Sequence, residues 1–103
     1  MKEVKAVINQ FKLDSVLTAL HDIGGLPSVA ISSIEAVDTT PDLFVAAPRT
    51  RIELMVPDGL VEIVVEAIRA AAHTGNPGDG RIFVIPIEET VLIRTGERGD
   101  SPR

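Results

Sequence analysis

The chain has no cysteine, no tryptophan and no tyrosine, and its only aromatic residues are three phenylalanines. Without cysteine there is no disulfide framework, no thiolate metal site and no cysteine nucleophile, so nothing in the chain demands an oxidising compartment. Without large aromatics the core has to be aliphatic. Positive charge is scarce as well: 10 Lys and Arg face 15 Asp and Glu, a net charge of −5 at pH 7. That balance excludes tight binding to a nucleic-acid backbone, whose affinity comes from clustered Lys and Arg. Long apolar runs are missing too, since no stretch approaches the roughly 20 residues of a membrane-spanning helix. Met1-Lys2-Glu3-Val4 leads into an alternating pattern rather than an apolar leader. The expectation is a cytoplasmic protein, neither a membrane protein nor a nucleic-acid binder.

What is present is enough for one domain, of a size at which a monomer buries only about two-thirds of its unfolded surface. Subunit contacts would add to its stability. Val4, Ala6 and Ile8 alternate with Lys5 and Val7 and predict a first strand over residues 2–9. Leu13, Val16, Leu17, Leu20 and Ile23 then recur at helical spacing until Gly24-Gly25 stops them. Val29, Ile31 and Ile34 mark a second strand, in which the slip at Ser33 signals a bulge or two apolar faces. Residues 38–50 carry two prolines and no sustained period, and read as a loop whose Leu43-Phe44-Val45 tucks against a subunit boundary or the edge of the core. Ile52, Leu54 and Val56 give a third strand, Asp58 an N-cap, and Leu60, Val61, Val64, Val65, Ile68 and Ala72 the apolar stripe of a second helix reaching about His73.

Arg81 to Pro86 is an apolar run of strand length, and Val91 to Arg94 reads as a last short strand. The domain is expected to span 1–95, with 96–103 a flexible tail. The order β-α-β-β-α-β predicts a ferredoxin-like α+β sandwich. Its two helices cover only one sheet face, while Ile82, Phe83, Val84 and Ile85 are apolar on both faces of their strand. A symmetric oligomer with sheets facing inward follows.

Between the second helix and the strand at Arg81 lies the segment whose composition suggests chemistry, His73-Thr-Gly-Asn-Pro-Gly-Asp-Gly-Arg-Ile-Phe83. Three glycines in six residues let backbone N–H groups approach an anion closely. Arg81 adds a planar guanidinium suited to phosphate. The plainer reading is a helix-to-strand connection with Gly75 as C-cap and Asn76-Pro77 as a turn. Other candidates carry less. His21 and His73 lie on different helices with no partner ligand, so no metal site is expected. Glu88-Glu89 are adjacent carboxylates in a short turn with no accompanying nucleophile, so no catalytic residue is expected.

Thr74-Gly-Asn-Pro-Gly-Asp-Gly-Arg-Ile-Phe-Val84 and Ile93-Arg-Thr-Gly-Glu97, supported by Phe11-Lys-Leu-Asp14 and Val56-Pro-Asp58, resemble the PII signalling proteins, nitrogen and carbon sensors, over nearly the whole chain. The resemblance implies a homotrimer that binds adenine nucleotide (ADP, AMP or ATP) in clefts between subunits and, without catalysing a reaction, regulates a protein partner such as a transporter or metabolic enzyme. It implies phosphate binding by Gly78, Asp79, Gly80 and Arg81, joined by Arg94 from the adjacent subunit. Arg49 and Arg51 lie near a family position that serves a small-molecule ligand and are candidate anion contacts, although pairing with acids such as Glu53 is the commoner fate of such arginines.

The departures also carry information. The family's long loop after the second strand is shortened here, and Ala36-Val37-Asp38 replaces its glycine-rich start, which argues against 2-oxoglutarate sensing. The absence of tyrosine excludes uridylylation of a loop tyrosine. Leu92 stands where a first phosphate-binding arginine is usual, and Ala30 where a threonine contacts adenine. One missing guanidinium removes roughly 1.5–3 kcal/mol, which implies weakened ATP binding and a preference for ADP or AMP. Two alternatives stand beside this reading: an interaction module of the same fold that has lost nucleotide binding, and a small metal-binding or hydrolytic ferredoxin-like protein.

Overall fold

The computed structural model describes residues 1–39 and 44–99. Its elements are β1 (Lys2–Asn9), α1 (Leu13–Ile23), β2 (Ala30–Thr39), β3 (Phe44–Val56), α2 (Val61–Ala72) and β4 (Gly80–Pro86), with single 3-10 turns before each helix and before β4. The strands form one sheet in the order β2-β3-β1-β4, each neighbouring pair antiparallel. This is the ferredoxin-like sandwich expected from the element order.

Burial alternates along β1: Val4, Ala6 and Ile8 are buried and the residues between them are not. Their register partners Leu54, Ile52, Val84 and Ile82 share that face. Val16 and Leu20 of α1, with Val64, Ile68 and Ala72 of α2, close over it to form an aliphatic core. No phenylalanine takes part among the described side chains: Phe11 is 84% exposed and Phe83 42%. Ile68 is fully buried. Its truncation to alanine is expected to cost about 2–5 kcal/mol by leaving a cavity in the aliphatic core, measurable by urea unfolding.

The long loop expected over 38–50 is largely strand instead. β2 and β3 pair without interruption from Ala30↔Glu53 to Thr39↔Phe44, so there is no bulge at Ser33. Phe44 belongs to β3; the rest of the expected Leu43-Phe44-Val45 contact concerns side chains outside the described residues. β1 accompanies β3 only as far as Asn9↔Arg49. The hairpin therefore continues past the sheet as a two-stranded ribbon. None of the ribbon's described side chains is buried, which is why its sequence shows no alternation to read. Pro48 sits in this part of β3, where the strand is partnered on one side, the setting in which a strand tolerates proline.

Two smaller expectations also change. Asp58 does not cap α2; its carboxylate accepts from the Met1 ammonium at 2.6 Å, which lowers its pKa. The short last strand at Val91–Arg94 is replaced by a turn. Gly96 N–H donates to Leu92 O at 2.7 Å, Leu92 N–H to Glu97 O at 2.9 Å, and Val91 bridges Arg98.

Candidate functional site

Helix α2 ends at Ala72, and His73 is already extended. From there the chain turns through Gly75, at φ +92°, and a 3-10 turn at Pro77–Asp79, then enters β4 through Gly80, at φ +101°. The turn is held from within. Asp79 Oδ2 accepts the N–H groups of Thr74 (2.8 Å) and Gly75 (2.9 Å), and Oδ1 accepts the Thr74 hydroxyl. The Thr74 hydroxyl, then the Thr74 and Gly75 amides, lower the Asp79 pKa from 3.8 to about 2. Backbone closeness explains the last glycine. A Cβ at Gly80 would stand 1.9 Å from Val7 O, so only a residue without a side chain allows β4 to join β1 there.

Against the open face of the sheet the loop forms a cavity of about 340 Å³, lined among others by Val7, Arg49, Gly78, Gly80, Arg81 and Phe83. The register explains the convergence: Asn9↔Arg49 and Val7↔Arg81 lie two residues apart along β1, so both arginines belong to the sheet face away from the helices. An Arg49 Nη atom lies 3.3 Å from where a Gly78 Cβ would be. Among the described residues no carboxylate lies within ion-pair distance of Arg49 or Arg81. Arg49 gives one N–H to the Pro48 carbonyl at 3.1 Å, and two guanidinium groups without a carboxylate partner among the described residues, beside glycine backbone, make a pocket for an anion.

A second cavity, about 300 Å³, opens on the helix side of the same loop over Ile8, Ile68, Ala72 and Ile82. Arg81 lines both cavities, but the other basic groups of this one are engaged, Arg69 with Glu66 at 2.6 Å and His73 Nδ1 at 3.7 Å from Asp79, whereas the sheet-side pocket adds Arg49. The sheet-side pocket is therefore the stronger candidate for an anionic ligand.

The structure thus brings together Gly78, Gly80, Arg81 and Arg49. Arg51 is elsewhere engaged, with Glu53 at 3.0 Å and Ser32 Oγ at 3.2 Å. Asp79 is at the loop but its carboxylate is occupied by the loop's own donors. Arg94 lies exposed in the turn that follows Leu92 and does not line the pocket within its own chain. Thr74 escaped the sequence reading as a site residue, and so did the pocket walls Val7 and Phe83. The five-residue spacing from Thr74 to Asp79 was the available signal, since Asp and Thr habitually bond nearby backbone. The walls could be found only once the register was known.

Fold and pocket together define a class: a ferredoxin-like α+β domain whose open sheet face carries a pocket suited to anions. Among the described residues no group of three or more His, Asp or Glu is placed to hold a metal, and no helix is long and apolar enough to cross a membrane. The family model described as "Nitrogen regulatory protein P-II" matches residues 1–97, and the chain belongs to that family. It is 44% identical over 108 residues to the Nitrogen regulatory protein P-II of Azospirillum brasilense, with 96% of each chain covered. It is 44% identical over 109 residues to that of Rhodospirillum rubrum, again with 96% of each covered, and 40% identical over 109 residues to that of Rhodobacter capsulatus, with 97% of each covered. P-II proteins are signalling regulators, not enzymes, and this chain is a member of that non-enzymatic group. The hydrolytic alternative is thereby set aside.

Proposed function

We propose that this chain is a cytoplasmic, trimeric P-II regulator in nitrogen control that holds an adenine nucleotide between subunits and signals its occupancy to a protein partner, such as a transporter or metabolic enzyme. The observation that carries the reading is the pocket where Arg49 and Arg81, both free of carboxylates among the described residues, flank Gly78 and Gly80. A diphosphate needs such donors, and a sheet edge open to solvent leaves room for a neighbouring chain to complete the pocket. Arg94 is the residue we assign to that neighbour. Its turn supports the assignment, because Ile93 beside it is 101% exposed, an arrangement that suits packing against another subunit. Met55, Phe83 and Ile85 are each more than a third exposed on the open sheet face, which supports burial of that face by association.

The domain in this reading ends near residue 95, with 96–103 as its tail. Its partner-binding element is the ribbon of β2 and β3 beyond Arg49. The alignment with the Azospirillum protein runs over 108 residues while taking in 96% of this 103-residue chain, so the relative carries several residues without a counterpart here. That difference supports a shortened hairpin tip.

Thermal shift tests the reading against an interaction module that has lost its ligand. Saturating ADP or AMP is expected to raise the melting temperature, since a ligand that binds only the native state stabilises it, by about 2.7 kcal/mol at a hundredfold excess over Kd. An unchanged melting temperature with ATP, ADP and AMP alike would favour the ligand-free module.

A further inference from the structure

We propose that Asp79 is the positioning residue of the phosphate loop, a carboxylate that shapes the loop from inside and does not itself meet the nucleotide. The inference rests on the nucleotide reading above. An ionised carboxylate only accepts hydrogen bonds, and a nucleotide phosphate offers it acceptors of the same sign. Its donors are already supplied: Thr74 N–H and Gly75 N–H on one oxygen, the Thr74 hydroxyl on the other. The hydroxyl in turn accepts Asn76 N–H at 3.1 Å, and Asp79 N–H closes the turn on Asn76 O at 3.2 Å. Residues 74–79 thus form a ring tied through one side chain. Gly78 and Gly80 flank that side chain in sequence, so the ring sets where they stand in the pocket beside Arg49 and Arg81. The other titratable and charged groups around Asp79 are His73, at 3.7 Å, and Arg69 and Arg81, which line the helix-side cavity with it.

The lowered pKa agrees with this geometry. A depressed carboxylate pKa contributes stability above its unfolded value, and that contribution is lost as pH falls from 3.8 through about 2.

The experiment titrates the full chain with ADP, inorganic pyrophosphate and adenosine, following backbone amide resonances, for wild type, Asp79→Ala, Asp79→Asn, Thr74→Val and Thr74→Ser. Asp79→Ala is expected to weaken ADP and pyrophosphate roughly ten- to a hundredfold, the scale of losing hydrogen bonds to a charged group, and to leave adenosine unchanged. Asp79→Asn, which keeps one acceptor oxygen, should fall between the two, and stands in for the alanine variant if that one does not fold. Thr74→Ser should rescue what Thr74→Val loses. Unaltered ADP binding in the Asp79 variants, or equal loss of adenosine and ADP, overturns the proposal. If wild type binds neither ADP nor pyrophosphate, the nucleotide reading falls. Asp79 is then judged on the Thr74 and Gly75 amide resonances alone, which must move between pH 4 and about 2 as the carboxylate protonates; amides that stay still contradict its role.

Discussion

Replacing Gly80 with alanine is expected to have the largest effect of any single methyl group added to this protein. The new Cβ would stand 1.9 Å from Val7 O and 3.0 Å from the Val7 carbonyl carbon, both backbone atoms that cannot swing aside, at a residue with φ +101°. Left-handed strain and overpacking together come to about 2–5 kcal/mol. In a chain of this size that lowers the melting temperature by about 10 °C or more. If β4 survives, it must separate from β1 at the Ile8↔Gly80 and Val7↔Arg81 pairs, which moves Arg81 and the loop together. Nucleotide binding should therefore disappear even at temperatures where the variant is folded. Calorimetric titration with ADP, beside circular dichroism of the same sample, separates the two losses. A comparison variant is available at Gly59, where φ is not in the left-handed region and a Cβ would meet nothing within 4 Å. Gly59→Ala should leave both properties unchanged.

Removing the two pocket arginines is expected to abolish binding while leaving the fold intact. Arg81 is exposed, Arg49 is partly exposed, and neither contributes to the aliphatic core. Each guanidinium bonded to phosphate is worth about 1.5–3 kcal/mol. Arg81→Ala should thus weaken ADP roughly ten- to a hundredfold, and Arg49→Ala with Arg81→Ala by more than either, although two groups on one ligand need not add. Thermal unfolding of the double variant without ligand should match wild type. Arg51→Ala makes the contrast, because that guanidinium is held by Glu53 and Ser32. An Arg51 variant that lost binding as fully as Arg81→Ala would mean that the pocket has been drawn in the wrong place.

How far the sequence could be read depended on whether burial left a mark on it. β1 was legible from end to end because one of its faces meets the core and the other does not, so Val4, Ala6 and Ile8 alternate with less buried residues. α1 was legible for the same reason, with Gly24 and Gly25, at φ +75° and +74°, as its stop. No described side chain of the β2–β3 ribbon is buried, and the sequence of 38–50 carries two prolines that mimic a loop, so the pairing of Ala36 with Ala47 was invisible until the register was known. Three of the pocket residues, Gly78, Gly80 and Arg81, were legible as a glycine-rich cluster ending in a cation. The selection of Arg49 over Arg51 was not, because the two are neighbours on one strand face and differ only in what lies beside them. Asp79 was placed at the loop correctly, but its direction was hidden, since composition does not distinguish a carboxylate facing a ligand from one facing its own backbone.

Native mass spectrometry of the full chain with ADP added tests the central claim most directly, because one spectrum reports both association and occupancy. The account predicts a trimer that takes up one ADP per subunit, with uptake lost when Arg49 and Arg81 are both replaced by alanine while the trimer persists. A monomer, or a trimer whose mass does not change with ADP, would contradict it.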